Sequence, residues 1–361
     1  MSASNSFPKY KVAAVQASPV VKDAPEWFDL AATLDKAVSL IAEAGRNGAK
    51  LIVFPECWLP CYPYWTMDVQ DRAGFSEIWA NFLWNSVEVP SRETEILGAA
   101  AKAAGVYVAM GINERDRIYS GRMYNSILFL GRDGQILGTH RKICITSSER
   151  LFQTPGDGGD NLKTVFDTEL GKLGGSICGE HMQLTLLYNW IMQGIQIHCS
   201  LWPGYAGVGD LTTRALCLTG HMFGVLSSTY ISEKDAPKNF YKNSFFNVPG
   251  FIRGGSGIVG PTGKYIAGPV FDEETIVYGD VDLSECDKAR SIINLTGLYS
   301  RWDILNLNVQ QEPYDPLVSK QVPGPTFSDE ATDTMRNLEK RIEQLERQIE
   351  ALSNDETKNT K

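Results

Sequence analysis

The chain has 361 residues, 43% hydrophobic and 21% charged, the balance of an ordinary globular protein with one large core and an appendage. Its 34 basic against 43 acidic side chains leave a net charge of −9 with no basic run, which argues against nucleic acid or anionic membrane as main partners. No apolar run is long enough to span a bilayer, and the opening MSASNSFPKYKV has no leader-like apolar core, so the cytoplasm is the expected location.

Residues 11–17, KVAAVQA, read as a buried strand, and residues 27–46 carry apolar side chains at helical spacing that stops before Gly48. Residues 50–54, KLIVF, read as a second buried strand, and this order points to an α/β layer architecture. Glu56 stands just past the end of that strand, where ligand and catalytic groups of α/β sheets gather. Desolvated there, a carboxyl rises toward the range of a general base, although a capping or ion-paired glutamate suits the same position. Tyr62, Tyr64 and Trp65 follow as an aromatic cluster that fits a pocket wall or plain core.

Residues 71–87 and 91–104 read as helices, the second capped by Ser91 with Glu93 and Glu95 in its first turn. Residues 106–112, 123–130 and 135–139 read as strands, the last two joined by a turn at Asp133-Gly134. Lys142 follows the third of them. It is either a solvated charge or, beside a thiolate and an oxyanion, an electrophilic stabiliser. Residues 144–160 read as a loop holding Glu149 and Arg150.

Residues 172–194, KLGGSICGEHMQLTLLYNWIMQG, are the centre of the chain. The segment before Cys178 is short and apolar like a buried strand. After it, Met182, Leu186, Leu187, Trp190 and Ile191 recur at helical spacing. A thiol at the start of a helix faces free N–H groups and the positive end of the dipole, which favour thiolate and covalent catalysis. A small buried hydrophobe is the plain alternative.

Strands are then expected at 195–201, leading to Trp202, and at 225–231, with a helix at 211–224 between them and a surface insertion at 232–253. A hairpin of 254–259 with 265–267, a strand at 275–281 and a helix at 284–293 complete the body. Neither glycine-rich stretch has the spacing of a nucleotide motif. Cys57 and Cys61 lack a second pair at zinc spacing, and seven irregularly placed cysteines fit reduced thiols better than a disulfide framework.

The expected divisions are a catalytic domain over 1–312, a proline-spaced linker over 313–333, a helix over 334–353 and a disordered tail over 354–361. Met335, Leu338, Ile342, Leu345, Ile349 and Leu352 alternate steps of three and four, the a/d seam of a coiled coil. Pairing between subunits is expected, with a single amphipathic helix docked on the body as the alternative.

Three motifs in order, VFPE ending at Glu56, HRK ending at Lys142 with SER after it, and ICGEH around Cys178, resemble those of the nitrilase branch of the carbon-nitrogen hydrolase superfamily. YPYW after the first, WPG at 202–204 and GLYSRWDIL at 297–305 are similar to further segments of that family, so the resemblance covers about residues 10–310. It implies a four-layer αββα sandwich that dimerises and builds larger assemblies. Glu56 would be the general base, Lys142 the stabiliser of the tetrahedral intermediate, Cys178 the nucleophile and Glu149 a supporting carboxylate. The implied reaction turns a small-molecule nitrile into an acid and ammonia through a thioimidate, with no metal or organic cofactor.

Two departures are visible. Gly179 replaces the tryptophan usual after the cysteine, and ICITSSER follows HRK where a Pro-Thr form is usual. An altered substrate size or acid-to-amide ratio is expected, with Tyr62, Gly179 and Trp202 as the substrate-binding candidates. An amidase or carbamoylase with the same residues, a cyanide-hydrolysing enzyme, and a filament-forming scaffold are the rival readings.

Overall fold

Side chains of a strand alternate between its two faces, so a sheet sandwiched between helices and a second sheet must be apolar at every position. Val12 to Val15, Leu51 to Val53 and Ile127 to Leu130 meet that requirement and are fully buried. The computed structural model describes residues 7–65, 72–147, 149–204, 206–237, 252–291 and 293–310. In chain order the first half comprises β1 (Lys9–Gln16), α1 (Leu30–Arg46), β2 (Ala49–Val53), α2 (Arg72–Trp84), α3 (Arg92–Ala104), β3 (Tyr107–Arg115), β4 (Met123–Leu130) and β5 (Ile136–Arg141). The second comprises β6 (Phe166–Thr168), β7 (Gly171–Ile177), α4 (Leu184–Met192), β8 (Ile197–Trp202), α5 (Ala206–Gly220), β9 (Phe223–Ser228), β10 (Gly254–Val259), β11 (Tyr265–Phe271), β12 (Thr275–Asp282) and α6 (Ser284–Arg290).

These strands form two six-stranded sheets, ordered β12-β1-β2-β3-β4-β5 and β11-β10-β9-β8-β7-β6. Val12, Ala14, Leu51, Val53, Ile127 and Phe129 of the first sheet pack with Leu173, Ile197, Leu201 and Val225 of the second. The opposite face of the first sheet, with Ala13, Val15, Ile52, Val108 and Leu128, packs under α1 and α3 through Ala37, Ile41, Leu97 and Ala101. Leu186, Leu187, Trp190 and Ile191 of α4 pack with Leu216 of α5 on the far side. The result is the expected order of helix, sheet, sheet, helix.

Several boundaries move for local reasons. The first helix begins at Leu30, not at residue 27, because Asp29 caps it by accepting from Ala32 N at 2.9 Å and Trp27 lies in a left-handed conformation, φ 50°. The helix expected at 211–224 spans Ala206–Gly220, stopped by His221 in a left-handed conformation, φ 50°, so that Met222 and Phe223 enter the following strand region. The helices expected to reach Val87 and Ile293 end at Trp84 and Arg290. The short β6 was not expected, since FDT carries no apolar run. The hairpin of β10 and β11 pairs as expected, Val259 opposite Tyr265. The linker, coiled-coil and tail assignments over 313–361 lie outside the described residues, as do residues 238–251 of the insertion.

Candidate active site

Three strand ends bring the chemistry together. β2 runs out into Pro55 and Glu56, β5 into Lys142, and β7 into Cys178. The first of these loops crosses β3 so closely at Gly111 that a Cβ there would stand 1.9 Å from Pro55 O. Only glycine permits that approach, and Leu59 N then donates to Gly111 O at 3.1 Å, fixing the loop over the sheet.

Lys142, fully buried, donates to Glu56 Oε1 at 2.9 Å and to Glu149 Oε1 and Oε2 at 2.8 and 2.9 Å. Asn125 Nδ2 donates to Glu56 Oε1 at 2.7 Å, while Thr146 N and the Tyr62 hydroxyl hold Glu149 at 2.9 and 2.8 Å. One ammonium is thus enclosed by two carboxylates, each with a further donor of its own. A buried charge persists only when paired in this way.

The ionisation of each group follows from that enclosure. Burial pushes the Glu56 carboxyl up to about 7; the Lys142 charge opposes this and Glu149 adds to it. Burial alone would strip the Lys142 proton, but Glu149 and Glu56 outweigh it and keep the ammonium. Cys178 is close enough to feel all three. Burial, then the Glu56 charge, raises its thiol well above the usual range, with Lys142 opposing. Its side of the site is partly open, since Cys178 and Gly179 are half-buried while Glu180 beside them is fully buried.

This corrects one expectation. Cys178 opens a 3-10 turn, Cys178–Met182, and the α-helix starts only at Leu184, so no long helix aims its dipole at the sulfur. The resting group is therefore the thiol. Glu56 Oε2 and Asn125 Oδ1 are buried without a hydrogen-bond partner among the described residues, so the site holds acceptors that are still free. Cys178 itself has φ 48°, a left-handed conformation that costs a non-glycine residue of order 1–3 kcal/mol and makes a sharp elbow at the strand end.

Behind the elbow lies a second polar group. His181 Nδ1 donates to Cys178 O at 2.8 Å, which leaves its Nε2 as an acceptor, 3.0 Å from His198 Nε2 and 2.8 Å from Ser200 Oγ. Ser200 reaches Thr213 of α5 at 2.7 Å and accepts from Trp202 Nε1 at 3.0 Å. Burial lowers His181 to about 4, so the chain of contacts is neutral.

Of the candidates from the sequence, Glu56, Lys142, Glu149 and Cys178 converge, with Tyr62 bonded to Glu149. Gly179 follows Cys178 with open space where a side chain would be, a Cβ there meeting, among the described residues, only Met182 Cε at 3.9 Å. Trp202 stands one layer back, 1% exposed, against His181 and under Gly209 of α5. Trp65 joins Phe28, Phe82 and Phe152 in an aromatic cluster, the core alternative for that segment. Asn125, His140, Glu180, His198 and Ser200 were not singled out as site residues. For Asn125, His198 and Ser200 the available signal was a polar residue inside an apolar strand, as in MYNSILFL and IHCSLW.

The family model described as carbon-nitrogen hydrolase matches residues 11–291. The chain belongs to the carbon-nitrogen hydrolase family. Within it this hydrolase is 33% identical to a nitrilase of Penicillium rubens, over 87% of this chain and 97% of that one. It is 36% identical to the aliphatic nitrilase of Rhodococcus rhodochrous, over 85% and 84%. These relatives place the hydrolase in the nitrilase branch. Among solved structures, Nit3 of Saccharomyces cerevisiae superposes with a TM-score of 0.64 at 23% identity, over 82% of this chain and 98% of that one, a likeness of fold.

Proposed function

We propose that this hydrolase is a nitrilase that converts an organic nitrile to the carboxylic acid and ammonia, with Cys178 as nucleophile, Glu56 as general base and Lys142 as electrophilic stabiliser. The observation that carries the reading is the Lys142 ammonium bonded to both Glu56 and Glu149 beside a thiol on a left-handed elbow. The nitrilase names of its relatives supply the substrate class.

Glu56 takes the Sγ proton as the sulfur adds to the nitrile carbon, then hands that proton to the nitrile nitrogen to give a thioimidate and is again a carboxylate. Charge within the buried group is conserved, since the thiolate appears as the carboxylate is neutralised, and Glu149 continues to balance Lys142. This substitution of one anion for another avoids creating a new buried charge. Water, deprotonated by Glu56, adds to the thioimidate carbon. Expulsion of ammonia leaves a thioester, and a second water releases the acid and restores the thiol. Expulsion of the thiol instead gives the amide after one water, and the open space at Gly179 supports a measurable share of that product.

Ammonia release from aromatic, arylacetic and aliphatic nitriles and from cyanide, by wild type and Cys178→Ala, tests the assignment. Wild type is expected to turn over at least one organic nitrile, and the alanine variant to fall by about four orders of magnitude or more. A variant that keeps wild-type turnover overturns the role of Cys178; wild type active on amides alone selects the amidase reading.

The finer points of organisation belong to the same proposal. The heptad seam at 335–352 supports subunits that pair through this segment, and light scattering of a chain cut at Pro325 is expected to show a smaller assembly. Seven unpaired thiols support a reducing, cytoplasmic location.

A further inference from the structure

Glu180 lies two residues past the nucleophile, and its carboxylate is fully buried. It collects three donors from two distant segments. Oε1 accepts from Ile143 N at 2.7 Å, and Oε2 accepts from Ile177 N at 3.0 Å and from His140 Nε2 at 2.9 Å. His140 and Ile143 bracket Lys142 in sequence, and Ile177 immediately precedes Cys178. A single side chain therefore ties the strand end that carries the ammonium to the strand end that carries the sulfur.

The chemistry of the residue suits this task. Burial alone would protonate it, but His140 and the two backbone N–H groups outweigh that effect and hold the carboxyl below its ordinary range. An ionised carboxylate accepts from all three donors at once and turns no proton toward them. A glutamine has the same volume, yet in either orientation it turns an amide N–H toward a backbone N–H, Ile143 or Ile177. The left-handed Cys178 is then bonded on both sides, through Glu180 to the residue before it and through His181 to its own carbonyl.

We propose that Glu180 is a positioning residue that sets the Cys178 sulfur against the Lys142 ammonium, and so governs whether the tetrahedral adduct expels ammonia or the thiol. The proposal rests on the nitrile reading above. In that adduct one carbon bears sulfur, hydroxyl and amine. Breaking C–N needs a proton delivered to nitrogen from the Glu56 and Lys142 side and leaves a thioester with free ammonia. Breaking C–S returns the proton to sulfur and releases the amide. A sulfur displaced from Lys142 weakens the first route more than the second.

The test is Glu180→Gln on the full chain with a nitrile that wild type hydrolyses, measuring acid, amide, ammonia and the melting temperature. We expect kcat to fall about 100-fold with KM within about threefold, and the amide share of product to rise at least threefold. A role in folding alone would lower the amount of active enzyme and leave the product ratio where it was. A folded Glu180→Gln with wild-type kcat, or with reduced kcat and an unchanged amide share, overturns the proposal. His140→Phe withdraws one of the three donors and decides the matter if Glu180→Gln does not fold: a raised amide share at about tenfold lower kcat supports the clamp, and an unchanged share overturns it. Wild type that turns over no nitrile overturns the nitrile reading itself, a result distinct from an active wild type whose variants keep its product ratio.

Discussion

Two buried polar groups meet at Cys178, and they are built on opposite principles. In front, Lys142, Glu56 and Glu149 are a charged cluster in which every member needs the others, because an unpaired charge cannot remain at that depth. Behind, His181, His198, Ser200 and Thr213 form a neutral chain whose links are ordinary hydrogen bonds. Burial lifts the Glu56 carboxyl in the front to about 7, whereas it lowers His181 in the rear to about 4, where that ring also holds the backbone of the elbow.

The contrast predicts unequal responses to substitution. Lys142→Met leaves two carboxylates facing each other without a cation. It is expected to lower kcat by about 1,000-fold or more. It is also expected to cost about 3–5 kcal/mol of stability, read from the urea midpoint. A variant as stable as wild type would show that the front does not depend on mutual charge pairing.

Next in size is the pH profile. Glu56 must be ionised to accept the thiol proton, and its carboxyl is raised to about 7 by burial. The ratio kcat/KM is therefore expected to be flat above that point and to fall about tenfold per pH unit below it. In Glu56→Gln the acid limb should vanish along with most of the rate. An unshifted acid limb in the glutamine variant would assign it to another group.

On the rear side, Thr213→Val removes one neutral link and is expected to cost about 1 kcal/mol in melting experiments, with the pH profile in place. A profile that moves would mean the two groups share a proton. The smallest effect is expected from Gly179→Ala, where the added methyl enters open space. Stability should stay within about 0.5 kcal/mol, and the range of nitriles accepted, read across a substrate panel, should be what shifts.

Much of this was legible from the residues alone. KLIVF before Glu56, GGSI before Cys178 and HRK at the end of a hairpin are local patterns, and each puts a reactive side chain at a strand end without reference to the rest of the molecule. The helix expected from Cys178 onward was a half-success. GEHM has helical neighbours, but Glu180 bonds back to Ile177 N and winds the segment into a 3-10 turn before the α-helix begins. Trp202 is a substrate-binding candidate because its aromatic ring suits an apolar pocket. Its face of β8 turns toward α5, where Gly209 makes room for the ring.

The sequence by itself determined the layer architecture and the family and named the candidate reactive groups, since all three are written in periodicity and in short motifs. Tertiary structure decided the ionisation of those groups and the scaffold that spaces them. Burial raises the Cys178 thiol well above its usual range and lifts the Glu56 carboxyl to about 7. Glu180 became a brace between strand ends 35 or more positions apart, as Ile143 N at a sequence separation of 37 shows. Protonation depends on the dielectric and charges around an atom, and those are set by residues that meet only once the two sheets have closed on each other.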